Sequence, residues 1–392
     1  DPNEVVRLTY SLNGGPERAL SLGPDTRRLQ EPGDFNVDLL FENLDPGPAD
    51  DVVTLRATLS SGAVATEEVT IDYEGDQRWP TDYAIDWETV TDLQQVTQVV
   101  DGLWSVSPAG LRLDQTGYDR FVAVGDEHWD NYEAQLSVTM HDLQSVDPRA
   151  GGGVGVFGFG MLWNGHTDDP VAGWQPKAGW NPLELIIFKN GSEGGEFSFF
   201  GRTGTVPFTL EEGGTYEFRL RVEQDAPLER TYSMKVWEEG TAEPADWLIE
   251  RTIGYDSPMT GSLILLSHFY DVTFGDLTVS EIPGNDIVVA EAEGGTLSGV
   301  AADDPDSGRG EIDVLRGGSG ADVFVLGAAG VDHYDDGDPA TAGLDDYAVV
   351  WDFDAVADTV RLAGTPADYD LRAAPTTLVE GTAIWRTEDG TE

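Results

Sequence analysis

The chain contains no cysteine. That excludes disulfides, Cys-ligated zinc and thiol catalysis. Lysine is nearly missing too: only Lys177, Lys189 and Lys235 occur. In all, 22 Lys+Arg stand against 73 Asp+Glu, a formal net charge of -51. A field of that sign repels polyanions, so nucleic acid and anionic membrane surfaces are excluded as partners. No apolar run approaches the ~18–20 residues of a membrane span, so no membrane insertion is expected. Helical periodicity is almost absent. There is no Ser-His-Asp elbow, no phosphate-cradling loop and no H-E-x-x-H motif.

What remains is apolar enough to fold. Hydrophobic residues make up 40% of the chain, with 11 Trp, 12 Tyr and 15 Phe, so real cores are expected rather than an acidic disordered tail. Short alternating runs separated by Gly, Pro, Asn and Asp argue for an all-β protein. The carboxylates attract cations, and clustered oxygens suit hard ones such as Ca²⁺. The chain starts at Asp1 without an apolar leader and stops near a hairpin-like Glu388-Asp389-Gly390. Both ends read as cut from a longer, secreted precursor.

Three units follow from the pattern. Residues 1–75 hold about seven short candidate strands, among them Val5 to Tyr10, Phe35 to Leu39, Val52 to Leu59 and Val69 to Tyr73, which predicts an Ig-like or fibronectin-like sandwich. Residues 75–86 read as a linker. Residues 85–282 contain ten or more strands, enough for a two-sheet jelly roll. Val90 to Val100 has room for one short helical turn. Residues 285–392 are the most acidic third, and from 283 onward they carry no Lys.

The strand Glu133 to His141 alternates cleanly. Ala134, Leu136, Val138 and Met140 face a core, and Glu133, Gln135, Ser137, Thr139 and His141 face the other way. A second cluster holds Trp163, His166, Trp174, Gln175 and Trp180. Indole faces stack on the C–H faces of sugars and amides bond their hydroxyls, so these five are candidate ligand-binding residues; the competing reading is a core plug under a long loop. For glycoside hydrolysis two carboxylates must flank the bond, and no E-x-D-x-x-E strand is present. For β-elimination on a polyuronate, His141, His268, Tyr270, Arg202 and Gln135 supply the needed residue types. The negative field opposes such an anionic substrate.

The order GLWSV, GLRL, YDRFVAVGD, EHWDNYEAQLSVTMHD, GVGVFGFG, TYEFRLRVE, YSMKVWEEG and GDLTVSEI resembles the concanavalin A-like lectin/glucanase superfamily in its laminin-G-like branch. That likeness covers about half the chain and implies a jelly roll with lectin, hydrolase or lyase function. In the third unit, Gly317-Gly318-Ser319-Gly320-Ala321-Asp322-Val323-Phe324-Val325 matches the G-G-x-G-x-D-x-U-x repeat at every fixed position. Nine residues earlier Gly308, Asp313 and Leu315 keep the frame; nine earlier again Gly299 and Asp304 do. With the Asp-rich run from Asp332 to Asp338, this segment resembles the RTX and serralysin-type C-terminal domain. The resemblance implies a β-roll that folds on extracellular Ca²⁺, with Gly308, Asp313, Gly317, Gly318, Gly320, Asp322 and Asp304 as metal-site residues and about one to three ions. Solvated turn aspartates are the plainer reading of the flanking carboxylates.

The sequence therefore predicts an Ig-like sandwich, a concanavalin-like jelly roll and an RTX-type roll in a secreted protein. Its expected role is binding a polysaccharide or cell-surface glycan, in adhesion or matrix. The rivals are a polysaccharide lyase or glycoside hydrolase, and a Ca²⁺-rigidified subunit of a surface layer in which the chain self-associates.

Overall fold

The computed structural model describes all residues except 1, 26–28, 38, 40–42, 46–48, 74–77, 149–152, 166–183, 192–193, 258, 291–293, 302–307, 329, 336–342, 376–378 and 387–392. The protein is all-β. Its only helical pieces among the described residues are short 3₁₀ turns, such as Leu93–Gln95. That turn lies where the sequence left room for one, capped by the Asp92 carboxylate on the Gln94 N–H.

The first unit comprises β1 (Val5–Leu12), β2 (Arg18–Leu20), β3 (Asp51–Leu59) and β4 (Val64–Ile71). Among the described residues they form one antiparallel sheet in the order β2-β1-β3-β4, fewer strands than the expected seven. Phe35, Val37 and Leu39 lie outside any strand. The turn before them is set by the Asp34 carboxylate, which accepts the Gln30 and Glu31 N–H groups. Val37 and Leu39 instead cover the apolar face made by Leu8, Tyr10, Leu20 and Val53.

The second unit is the sandwich. Its strands are β5 (Tyr83–Ile85), β6 (Gln98–Asp101), β7 (Trp104–Ser107), β8 (Gly110–Leu113), β9 (Arg120–Val124), β10 (Tyr132–Asp142), β11 (Val156–Trp163), β12 (Glu184–Gly191), β13 (Gly194–Phe199), β14 (Val206–Pro207), β15 (Thr215–Ala226), β16 (Glu229–Glu238), β17 (Ile249–Gly254), β18 (Ser262–His268) and β19 (Asp271–Glu281). One sheet runs β17-β16-β15-β10-β19-β8-β7, with β5 paired to β19. The other runs β14-β13-β12-β11-β18-β9-β6. Every pairing is antiparallel. Inward residues of both sheets share one core. Phe218 sits at its centre, 5.9 Å from Phe157, 5.0 Å from Phe159 and 6.1 Å from Phe197 between ring centroids. Such offset and edge contacts add to the burial of the rings themselves. The expected linker is already part of this unit at Trp79, whose ring stacks on Tyr83 and whose carbonyl accepts the Trp129 indole N–H.

The third unit contains β20 (Ile287–Val289), β21 (Thr296–Leu297), β22 (Ile312–Arg316), β23 (Val323–Val325), β24 (Gly327–Ala328), β25 (Val331–Asp332), β26 (Tyr347–Val350), β27 (Thr359–Arg361), β28 (Tyr369–Ala373) and β29 (Thr382–Arg386). Strands β20-β22-β26 form one parallel sheet and β21-β23-β27 another. Because the chain alternates between them, it winds as a parallel roll. Leu297, Leu315 and Phe324 fill the space between the two sheets, a much smaller core than the sandwich has. The expected stacking of short repeats differs in one respect. Successive coils are 27 and then 35 or 36 residues long, because segments are inserted between the strands.

The roll docks on one end of the sandwich through side-chain amides. The Gln224 amide donates to the Ile312 carbonyl at 2.5 Å, and Asn285 donates to the Gln224 carbonyl at 2.8 Å while accepting the Ile312 N–H at 2.6 Å. Asp130 accepts the Ile287 N–H at 2.5 Å. The exposed end of a parallel sheet is thus satisfied by the neighbouring unit.

Candidate functional site

The outward face of the larger sheet is the polar face predicted from the alternation of β10. Gln135 lies between Thr278 of β19 and Arg219 of β15, and Ser137 lies beside Glu217. Near Ser137 the ladder slips: Leu136 pairs with Leu277 but Val138 pairs with Phe274. Gly275 and Asp276 therefore both oppose Ser137, a β-bulge. A Cβ on Gly275 would come 2.1 Å from Ser137 Oγ, so a larger residue there would force the Ser137 hydroxyl to turn away. Trp87 pins the bulge from the core side. Its indole N–H donates to the Gly275 carbonyl at 2.7 Å, and its backbone N–H donates to Asp276 Oδ1 at 3.1 Å.

Over this bulge lies an open groove of about 470 Å³. It is lined by Gln135, Leu136 and Ser137 of β10, Glu217 of β15, Glu239 after β16, Gly275, Asp276 and Thr278 of β19, and the Pro108-Ala109 turn. One amide, two hydroxyls and three carboxylates thus converge on one cleft, and none of the lining residues is cationic. Sequence reasoning singled out Gln135 and its face but missed Asp276, Glu217, Glu239 and Trp87. A glycine interrupting the alternating run Val272 to Val279 was the available signal for the bulge.

Cations do occur on the same face, but they are neutralised. Arg112 pairs with Asp271 through both Nε (2.8 Å) and Nη2 (2.5 Å). Glu133 is shared by Arg219 and by Arg221, the latter at 2.7 Å. Glu243 takes Arg219 and Lys235, each at 3.0 Å. Trp247 closes this patch, with Lys235 4.9 Å and Arg221 5.3 Å from its ring centroid.

The five residues cast for β-elimination do not converge. Gln135 is in the groove and bonds the Arg219 guanidinium at 2.8 Å. His141 lies six residues along the same strand, ~20 Å away at the strand rise, with Nε2 2.8 Å from Thr273 Oγ1. Burial and the Arg112 guanidinium hold its imidazolium pKa below the usual value, partly offset by Asp271. Tyr270 is 0% exposed, and its hydroxyl accepts the Asn190 N–H. Burial pushes its phenol pKa up, which suits a structural hydroxyl and not a base. His268 belongs to the opposite sheet and is held 2.8 Å from Asp119 Oδ1. Arg202 is ion-paired with Glu184 on that same opposite sheet.

Trp163 is a core residue, not a stacking platform. It is 6% exposed and meets the Phe121 ring edge-on at 6.2 Å between centroids. The alternation of β11 is lost in a run buried on both faces, so a strand-end tryptophan there reads falsely as loop. His166, Trp174, Gln175 and Trp180 lie outside the described residues.

The Gly-Asp frame of the roll has a physical explanation in its packing. A Cβ on Gly299 would strike Asp313 Oδ2 at 2.0 Å, and one on Gly317 would strike Asp322 Oδ2 at 2.6 Å. A Cβ on Gly308 would crowd Val300 and Tyr334. Gly318 (φ +72°) and Gly320 (φ +127°) occupy the left-handed half of backbone space, as tight turns require. The carboxylates then bond the backbone of adjacent coils: Asp313 Oδ1 accepts the Asp286 N–H, Asp322 Oδ1 the Gly295 N–H, Asp358 the Asp322 N–H, and Asp352 those of Gly317 and Gly318.

Calcium is the ion this frame implies, and its two aspartates fit it unequally. Asp313 is 0% exposed and both its oxygens are engaged, the second by the Tyr334 hydroxyl at 2.5 Å. Asp322 is 1% exposed, and its Oδ2 has no hydrogen-bond partner. Asp304 lies outside the described residues. Among the described residues no set of three or more His, Asp or Glu gathers as a metal centre.

No protein-family model and no curated protein matches this chain. Solved structures do resemble it. An alginate lyase, Aly36B, in complex with alginate tetrasaccharide is 13% identical with a TM-score of 0.32, covering 52% of this chain and 98% of its own. The exoplasmic/lumenal domain of VIP36 in its Ca²⁺/Man2-bound form is 8% identical with a TM-score of 0.34, covering 50% and 86%. A protein of unknown function with a galectin-like fold from Bacillus subtilis is 11% identical with a TM-score of 0.32, covering 51% and 94%. Such weak likenesses bear on no residue or activity here; the sandwich is defined by its own strand order and shared core.

Proposed function

We propose that this chain is an extracellular glycan-binding module and that its site is the bulged groove around Gln135, Ser137, Asp276 and Thr278. The observation that carries this reading is an open cleft of about 470 Å³ lined by residues with amide, hydroxyl and carboxylate groups. Sugars present a dense array of hydroxyls that both donate and accept, and amide, hydroxyl and carboxylate groups can bond them. The site sits on a rigid sheet, so little ordering is needed on binding.

The test is a glycan array followed by calorimetric titration of the hits against wild type and Thr278→Trp, which fills the cleft. Binding to a defined glycan that Thr278→Trp abolishes, with melting temperature retained, supports the reading. An array with no hit, or hits untouched by the substitution, contradicts it. A second reading, glycoside hydrolysis, is favoured by one observation: Glu217, Glu239 and Asp276 ring the same cleft. New reducing ends released from the bound glycan would select it. A third, self-association as a Ca²⁺-rigidified subunit, predicts concentration-dependent assembly and no glycan affinity.

The same proposal assigns Ca²⁺ to the third unit, at the Asp322 turn with Gly317, Gly318 and Gly320. The buried, unpartnered Oδ2 of Asp322 supports it. The ion would neutralise a buried carboxylate and fix the turn. Calorimetric titration of Ca²⁺ into chelated protein, with Asp322→Asn as the control, is the check. No heat in wild type would remove the ion from the account.

A further inference from the structure

From the distribution of charge on the polar face, we infer that the groove takes a cationic, amino-bearing polysaccharide and rejects uronates. This inference rests on the proposed glycan-binding reading of the same cleft. Its ground is an asymmetry between two parts of one sheet. On the neighbouring strands Arg112, Arg219, Arg221 and Lys235 are each held by a carboxylate. In the groove none of the lining residues is cationic, and the one guanidinium bonded to a lining residue among the described residues, Arg219 at Gln135, is already paired with Glu133 and Glu243.

An anionic sugar placed there meets three carboxylates, and the guanidinium groups that could offset them are already bound to Glu133, Glu243 and Asp271. Like charges at such range in a cleft repel, and the net charge of -51 adds to that. A protonated amine on a sugar ring meets the reverse. It can donate to a carboxylate while the ring hydroxyls bond Gln135, Ser137 and Thr278. Charge-assisted hydrogen bonds of this kind are about twice as strong as neutral ones. The bulge matters because it places Asp276 opposite Ser137 on the open face and has its carboxylate steadied by the Trp87 N–H at 3.1 Å.

The experiment titrates four probes into the full chain at low salt: glucosamine pentamer, N-acetylglucosamine pentamer, guluronate pentamer and pentalysine. Each is measured with wild type, with E217Q/E239Q/D276N, and with E67Q/E68Q/D50N, which removes equal charge from the first unit. The amide isosteres keep the acceptor that bonds the Trp87 N–H, and melting temperatures verify folding. The inference expects the glucosamine pentamer to bind tightest. It expects an about tenfold weakening in the groove variant and no change in the distant one. Tighter binding of the N-acetyl or guluronate pentamer overturns the inference while leaving the glycan reading intact. So does pentalysine binding as well as glucosamine pentamer with the same variant sensitivity, because the cleft then selects charge alone. Equal weakening by both variants also overturns it. If no sugar binds at all, the glycan reading fails with it.

Discussion

The sandwich and the roll are both built from strands, yet they are held together by different groups. In the sandwich two large antiparallel sheets enclose a continuous aromatic core, and the polar face is free to carry a site. In the roll two narrow parallel sheets enclose little more than Leu297, Leu315 and Phe324, and buried carboxylates tie one coil to the next. Dispersion and burial scale with apolar area, so the sandwich tolerates irregularities such as the Gly275–Asp276 bulge. The roll lacks that reserve and depends on hydrogen bonds whose acceptors are titratable. The same acidic composition therefore does different things: it lines an open groove in one unit and stitches the backbone in the other.

The largest effect is expected in the sandwich core. Phe218→Ala removes a 0%-exposed ring touching three other phenylalanines, and should cost about 3–5 kcal/mol. Calorimetry should show the main transition falling, and the glycan site lost with it.

Asp322→Ala comes next. It strips the acceptor from the Gly295 N–H and should cost about 1–3 kcal/mol, confined to the roll. Limited proteolysis should cut within residues 283–392 while the sandwich transition stays in place. Asp322→Asn, which keeps an acceptor, should restore part of the loss. If Asp322→Ala lowers the sandwich transition equally, the two units are one cooperative block.

A smaller effect is expected from pH. Burial, then the charges of Asp130, Asp313, Glu281 and Glu311, push Asp286 up to about 9. Burial pushes Asp313 up to about 6, against the lowering pull of Tyr334 and the Asp286 N–H. Carboxyl groups with a raised folded-state pKa are accommodated best when protonated. The seam is therefore most stable below the unfolded value of 3.8 and loses stability as pH rises through about 6 and then about 9. The roll's transition should fall between pH 5 and pH 9. Asp286→Asn should flatten the upper part of that profile. A roll whose stability rises across the same window would contradict the assignment.

Much of this was legible in the sequence, for identifiable reasons. The alternation of β10 gave the core face and the polar face correctly, because a strand with one wet side keeps a period of two. The Gly-Asp frame located the turns of the roll, since left-handed glycines and the aspartates packed beside them leave a fixed spacing. Other features need three dimensions. His141, Tyr270, His268 and Arg202 share residue types with a catalytic set but are spread over strands of both sheets and the turns between them. Trp163 looked like a loop tryptophan because β11 is buried on both faces and has no alternation to betray it.

The smallest expected effects concern the polar face itself. Trp87→Phe removes the N–H to the Gly275 carbonyl and should cost about 1–2 kcal/mol, with weaker glycan binding from a loosened bulge. His141→Ala should leave binding unchanged, because His141 is ~13 Å from Ser137 along the strand.

The most direct test is amide chemical-shift mapping of the labelled protein during titration with the array-selected oligosaccharide. Saturable shifts confined to residues 135–137 and 275–278, with Glu217 and Glu239, are the predicted result. Shifts centred elsewhere, or none at saturating sugar, would contradict the placement of a glycan site on this groove.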